Sequence, residues 1–213
     1  MSRDEERTLL LRCRGGESAA FAPLVRAYEG RIQRFLYALV GDHEEARDLT
    51  QDAFVRAWRK LDRYDPERPF LPWLTTIARR LGVELLRTRR RRRRWVVSNP
   101  PASDPDRPLL ETVDPHLPDR DVMSRELNDR LQHALDGLSP ALRETVVLKD
   151  VLDLSYDEVA ALQAIPRGTV ASRVYHARRA LVEELQEEAD RPAFGPGTRR
   201  TVPTGRPRLA AVG

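Results

Sequence analysis

The sequence predicts an all-α protein with two small helical domains joined by a flexible proline-rich linker. Apolar residues recur every three to four positions in residues 18–94 and again in 126–188, which is the period of an amphipathic helix. Strand-type alternation is absent. Between these segments, residues 95–125 are rich in proline, aspartate and serine and show little periodicity. We therefore expect two separate cores.

The first predicted domain contains three helices. The first helix ends at Gly41, a residue type that commonly terminates helices, and Asp42 is a suitable N-cap for the second. The third helix follows the turn signal Asp65-Pro66 and continues into six consecutive arginines at 89–94. Such a block predicts a nucleic-acid-facing patch or a flexible basic arm.

The second predicted domain has four helices, of which the last two form a helix-turn-helix. Ser155 and Glu158 make a capping box that begins the first helix of this pair. Pro166 is tolerated only near a helix start and therefore marks the second. The tail, 189–213, is rich in proline, glycine and arginine and is predicted to be disordered.

The last helix carries a polar stripe opposite its apolar one. Its residues are Thr169, Ser172, Arg173, His176 and Arg179. Short polar and cationic side chains suit base edges and phosphates in a DNA major groove. An ordinary solvated helix face is the alternative interpretation of this stripe.

Composition narrows the functional class. The chain has 213 residues, a net charge of +4 and one cysteine, so a disulfide framework and a cysteine zinc site are excluded. The N-terminal segment, residues 1–17, lacks an apolar signal core, and no long apolar run follows, so we expect a cytoplasmic protein. Because the histidines are scattered and no glycine-rich loop follows a strand, we predict no enzyme activity, no metal site and no cofactor.

Two segments resemble bacterial RNA polymerase sigma factors of the extracytoplasmic-function (ECF) type. Residues 48–54, which read DLTQDAF, together with Trp58 and residues 70–79, resemble region two of that family. Residues 138–185, with GTV at 168–170, resemble region four. The two segments occur in the family's order. The resemblance implies that the protein binds core RNA polymerase, directs it to promoter DNA and has an anti-sigma factor as a partner.

The resemblance also implies roles for matching positions. In the family, the second helix of region two docks on core polymerase; the matching residues are Asp48, Gln51, Asp52, Phe54 and Trp58. The loop at 62–70 and the helix after it correspond to the reader of the minus-ten element. Its candidate residues are Tyr64, Asp65, Arg68, Arg79, Arg80, Arg87 and Arg90. An extruded base needs a pocket, and the open strand needs cations. For Trp58, an ordinary core aromatic is the alternative to an interface anchor.

The recognition helix of region four would read the minus-thirty-five element. Its candidate residues are Arg167, Thr169, Ser172, Arg173, Tyr175, His176 and Arg178. We expect Ser172, Tyr175 and His176 at base edges and the arginines at 173 and 178 at phosphates. The family usually has asparagine at the position of Arg80 and often a basic residue at those of Ala171 and His176. The preferred promoter is therefore expected to differ from the family's commonest one.

A polymerase-independent helix-turn-helix repressor or activator is the alternative function. It accounts equally well for the second domain. It does not account for the acidic helix that carries Trp58, nor for the long helix that ends in arginines. Copurification with core polymerase separates the two hypotheses.

Overall fold

The computed structural model describes residues 1–98 and 122–189 and contains only helices in those ranges. They are α1 (Arg3–Arg14), α2 (Phe21–Val40), α3 (His43–Arg59), α4 (Phe70–Ser98), α5 (Val122–Gly137), α6 (Pro140–Asp150), α7 (Tyr156–Gln163) and α8 (Arg167–Ala189), with short 3-10 turns at Ser18–Ala20 and Leu61–Arg63. The predicted all-α class is confirmed. Within these ranges, none of the helices combines the length and apolar content that a bilayer span requires.

The ends of the predicted linker are helical. The helix α4 continues to Ser98, and α5 already begins at Val122, whereas the composition placed the linker at 95–125. The middle of the predicted linker and the predicted disordered tail lie outside the described residues. Composition does not fix helix ends to within a few residues, and here each helix extends four residues into the predicted linker.

Helices α1 to α4 share one core. Its largest fully buried side chains are Leu10, Leu24, Ile32, Phe35, Leu36, Phe70 and Leu74. Helices α2 and α4 approach closely at Gly82, where a Cβ atom would lie 2.8 Å from a methyl carbon of Leu39. Glycine at this position therefore permits the close packing that holds the N-terminal half of α4 in place.

Helix α1 lies in the N-terminal segment, residues 1–17, for which the sequence analysis proposes no helix. It begins with a capping box in which the Ser2 hydroxyl accepts from the Glu5 backbone and the Glu5 carboxylate accepts from the Ser2 backbone. Leu10 is fully buried, and Cys13 is 5% exposed. The signal was present in the sequence as the Ser2–Glu5 spacing followed by an apolar stripe.

The caps predicted from the sequence are confirmed. Gly41 ends α2 in the left-handed region with φ 76°, and Asp42 Oδ1 accepts a hydrogen bond from the Glu45 N–H at 2.8 Å. Ser155 and Glu158 form the capping box of α7. Ala164 then takes φ 54° and turns the chain into α8, a conformation that costs a non-glycine residue about 1 kcal/mol.

The buried side chains of helices α5 to α8, which we call the second core, join those of α1 to α4 in one continuous cluster. The most buried large side chains of the second core are Val147, Leu148, Leu152, Val159 and Val170. Leu127 and Leu131 share the helical spacing of Leu135, which predicts that they face this core, but they are 60% and 41% exposed. The buried side of α5 is formed instead by Gln132, Ala134, Leu135 and Leu138. Within residues 127–137 of α5, the C-terminal part therefore provides the buried contacts.

Candidate functional site

One side of α3 is exposed and mixes acidic, amide and apolar groups. Asp48, Gln51 and Asp52 are exposed, as predicted. Trp58 is 37% exposed and packs on Phe21, with ring centroids 5.1 Å apart, so it is not an ordinary core aromatic. A rigid, partly exposed tryptophan is a common anchor in protein interfaces.

Phe54 differs from the other four residues predicted to bind polymerase. It is only 6% exposed and packs edge-on against Phe21 at 6.3 Å. Its side chain therefore belongs to the core of the first domain and offers little area to a partner. Its role in the proposed interface is indirect, because it holds the ring against which Trp58 is supported.

Val55 is an exposed residue on this side of α3 that the sequence analysis did not single out. It is 47% exposed and lies four residues after Gln51 and three after Asp52, so it shares their face. An apolar side chain framed by polar ones is typical of the centre of an interface. The helical spacing alone was enough to find it. We call Asp48, Gln51, Asp52, Val55 and Trp58 the α3 surface.

The loop at 64–69 is internally hydrogen-bonded. The Tyr64 hydroxyl donates to the Arg68 carbonyl, the Arg68 N–H donates to the Asp65 carbonyl at 3.0 Å, and Asp65 Oδ1 accepts from the Glu67 N–H at 3.0 Å. Tyr64 is 3% exposed, and this burial raises its pKa to about 12. Of the loop candidates, only Asp65 and Arg68 are exposed, and their side chains lie 3.5 Å apart. Tyr64 therefore shapes the loop and is not free to meet DNA.

The candidate arginines of α4 fall into two groups. Arg80, Arg87 and Arg90 are exposed, whereas Arg79 is half-buried in an ion pair with Glu144 of α6. The first residue of the arginine run, Arg89, donates to the Val40 carbonyl at 2.7 Å and pairs with Glu45. The run is therefore not uniformly a DNA-facing patch, since its first member holds the end of α2.

Helix α8 has a buried and an exposed stripe, as the sequence predicts, but Thr169 and Arg173 of the predicted polar stripe are half-buried. The buried stripe contains Val170, Val174 and Ala177, and the exposed stripe contains Ser172, Tyr175, His176 and Arg179. Tyr175 is 63% exposed, and its ring meets that of His176 edge-on at 5.4 Å. These side chains form one polar and aromatic surface, which we call the α8 surface.

The remaining candidates of α8 have more varied surroundings. Arg167 is exposed near the start of the helix, 3.5 Å from Asp157, while Thr169 and Arg173 are half-buried. Arg178 makes two hydrogen bonds to Asp150 of α6, at 2.6 and 3.0 Å. This pairing raises the pKa of Arg178 through the hydrogen bond and charge of Asp150. The Arg178 side chain therefore links α8 to α6 through Asp150.

Comparison with known proteins matches both domains. Residues 24–92 match the family described as Sigma-70 region 2, and residues 128–181 match Sigma-70, region 4. The chain is 32% identical over 174 residues to the ECF RNA polymerase sigma factor SigW of Bacillus subtilis, which covers 81% of this chain and 92% of that relative. The chain belongs to the ECF sigma factors.

Solved structures have the same fold. A sigma factor RpoE of Bartonella quintana, in a complex with the anti-sigma factor NepR, aligns with a TM-score of 0.58 and 27% identity over 80% of this chain and 98% of that one. The structure of CnrH in complex with the cytosolic domain of CnrY aligns with a TM-score of 0.65 and 24% identity over 88% and 99% of the two chains. The latter likeness concerns the fold alone.

The two domains of this sigma factor are in contact. Besides the Arg79–Glu144 ion pair, Arg31 of α2 donates to the Leu152 carbonyl after α6. Burial and then the carboxylates of Asp129 and Asp136 on α5 raise the pKa of Tyr37 on α2. One residue predicted to hold promoter phosphate, Arg79, is therefore occupied by the other domain in this arrangement.

Proposed function

We propose that this ECF sigma factor binds core RNA polymerase through the α3 surface and divides promoter recognition between its domains. The loop at 64–69 and the exposed arginines of α4 serve the minus-ten element, and the α8 surface serves the minus-thirty-five element. What carries the proposal is that the α3 and α8 surfaces are both exposed and lie in the two different family regions of one chain. Run-off transcription with core polymerase, followed by start-site mapping, tests it.

An anti-sigma factor is a second proposed partner. The support is the similarity to the RpoE structure, which was solved with the anti-sigma factor NepR. We propose that a protein of that kind binds this chain in the cytoplasm and competes with core polymerase. Addition of such a partner to a run-off reaction is expected to abolish transcripts that depend on this sigma factor.

A polymerase-independent repressor or activator remains the second candidate function. The observation that favours it is the α8 surface, which is equally suited to an operator. It gives no role to the exposed Val55 and Trp58 of α3. If the protein does not copurify with core polymerase, this second function replaces the first.

The isolated protein is expected to bind duplex promoter DNA weakly. A single helix-turn-helix makes few contacts, and reading the minus-ten element requires an open strand. We expect a Kd weaker than about 1 µM at physiological salt, against the 10 nM or tighter that is usual for specific binders. Fluorescence anisotropy with and without core polymerase measures it. Tight binding without polymerase would favour the operator-binding function.

Changing His176 to arginine is expected to alter base preference. Arginine can donate two hydrogen bonds to guanine, which is worth about 1 to 3 kcal/mol of discrimination at one position. His176 is exposed beside Tyr175, so the longer side chain has room to reach a base edge. Transcription of a library randomised in the minus-thirty-five element measures the change. An equal loss on every promoter would contradict a role in base reading.

A further inference from the structure

Helix α1 contacts the loop proposed to read the minus-ten element. It lies outside the matched region two, which begins at residue 24. Three of its side chains, which lie within about one helical turn, contact residues 66–70. Arg3 donates to the Pro66 carbonyl at 3.2 Å, Arg7 donates to Glu67 at 2.7 Å, and Glu6 accepts from the Phe70 N–H at 3.1 Å.

Glu6 is the buried member of this group. It is 4% exposed, and its carboxylate accepts hydrogen bonds from Arg3, from the Tyr28 hydroxyl and from the Phe70 backbone. A carboxylate buried this deeply needs such partners, because removing it from water without them is costly. The cluster is therefore a specific arrangement that fixes α1, α2 and the start of α4 relative to one another.

The bond to Phe70 replaces a missing cap. Phe70 is the first residue of α4, and its N–H has no partner within the helix. The residue before it, Pro69, has no side-chain oxygen to accept from the first turn. Glu6 supplies that oxygen from another helix, and its negative charge also interacts favourably with the helix N-terminus. The position at which the loop ends and α4 begins is thus set by α1.

We infer that α1 is a positioning element for minus-ten recognition and that Glu6 is its central residue. This inference rests on the proposed function of the loop. Glu6 is too buried to touch DNA. It holds the exposed Asp65 and Arg68 of the loop at a fixed place relative to the exposed arginines of α4. A pocket for an extruded base must be positioned closely, since a shift of about 1 Å is enough to weaken it.

The test compares Glu6→Gln with Tyr28→Phe in the full chain bound to core polymerase. The probe is a fork-junction DNA whose minus-ten non-template strand is single-stranded, with the preferred bases or with one base replaced. Glu6→Gln removes the negative charge that pairs with Arg3 and interacts with the N-terminus of α4, and it removes one of the two acceptor oxygens. It is expected to weaken binding of the preferred probe by about 10-fold and to reduce discrimination at the base read by the loop. Its affinity for core polymerase should stay within about twofold of wild type.

Tyr28→Phe is the matched control. It removes a hydrogen bond from the same carboxylate but keeps the ring that packs on Phe70 at 5.7 Å, and it leaves the loop contacts in place. A loss of discrimination equal to that of Glu6→Gln would mean that general stability, and not positioning, is responsible. Unchanged discrimination in folded Glu6→Gln would overturn the inference. If wild type itself does not discriminate among the probes, the proposed function of the loop fails instead.

A second variant covers the case in which Glu6→Gln does not fold. Arg3→Ala with Arg7→Ala removes the two other contacts to the loop and the Arg3–Glu6 ion pair, while Tyr28 and Phe70 still donate to Glu6. Both replaced side chains are exposed, and circular dichroism checks that the helices persist. We expect the same loss of discrimination in a weaker form, about threefold. If Arg7→Glu alone reduces discrimination and the charge swap Arg7→Glu with Glu67→Arg restores it, the result would directly support the ion pair between α1 and the loop. No change in the Arg3 and Arg7 double variant would overturn the inference.

Discussion

Replacing Asp48 by arginine together with Gln51 by alanine is expected to weaken binding of the sigma factor to core RNA polymerase by about 30- to 100-fold. Both side chains are exposed and lie within two helical turns on the N-terminal side of Val55, so the double change reverses a charge near the apolar centre of the α3 surface. A reversed charge that meets a complementary partner costs several kcal/mol. Competition binding against labelled wild-type sigma factor measures the change.

The control for this variant is Glu29→Arg. Glu29 is exposed on α2 of the same domain, and its replacement changes the net charge by the same amount as Asp48→Arg. Core binding should remain near that of wild type, and circular dichroism should show intact helices in both proteins. If the Asp48 and Gln51 double variant binds core polymerase as tightly as wild type, core polymerase does not dock on the α3 surface.

Replacing Leu148 by alanine is expected to lower the free energy of unfolding of the second domain by about 2 to 5 kcal/mol. Leu148 is fully buried in α6, and a leucine-to-alanine change there leaves a cavity. A domain of this size has only about 3 to 9 kcal/mol of stability in total, so the midpoint of unfolding should fall by more than about 10 °C. Thermal unfolding by circular dichroism measures it.

The matched control is Leu127→Ala in the same domain. Leu127 is 60% exposed, so the identical chemical change should alter stability by less than about 0.5 kcal/mol. Transcription provides a second readout, because loss of the second domain should abolish dependence on the minus-thirty-five element while core binding through α3 persists. A Leu148 variant as stable as the Leu127 variant would contradict the second core as described.

The helices of this protein are readable from its sequence because local rules determine them. Period and caps predict α2, α3 and the helix-turn-helix, including the capping box at Ser155. The same rules would have predicted α1, whose Ser2 and Glu5 were overlooked. The stripe of α5 was misjudged because periodicity shows that a helix has an apolar side, but not whether a neighbour is long enough to cover all of it.

The ion-pair partners of individual arginine side chains could not be predicted from the sequence. Arg79, Arg89 and Arg178 each resemble their exposed neighbours in the sequence, yet they pair with Glu144, Glu45 and Asp150. These partners lie between 28 and 65 residues away in the chain or on the other domain. Only the tertiary arrangement decides which arginine remains available for phosphate. The burial of Tyr64 and Phe54 was missed for the same reason.

Because the two domains are in contact, the affinity for promoter DNA depends on the fraction of molecules in which the domains are apart. If Arg79 binds a promoter phosphate as proposed, it must first release Glu144, so binding of the minus-ten strand through Arg79 favours a form in which the two domains have moved apart. If that form made up about one molecule in a hundred, the apparent Kd for DNA would be about 100-fold weaker than the intrinsic one. A partner that binds only the separated form removes this penalty. A partner that binds only the form with joined domains weakens the apparent affinity for DNA further, and it need not contact any DNA-binding residue to do so.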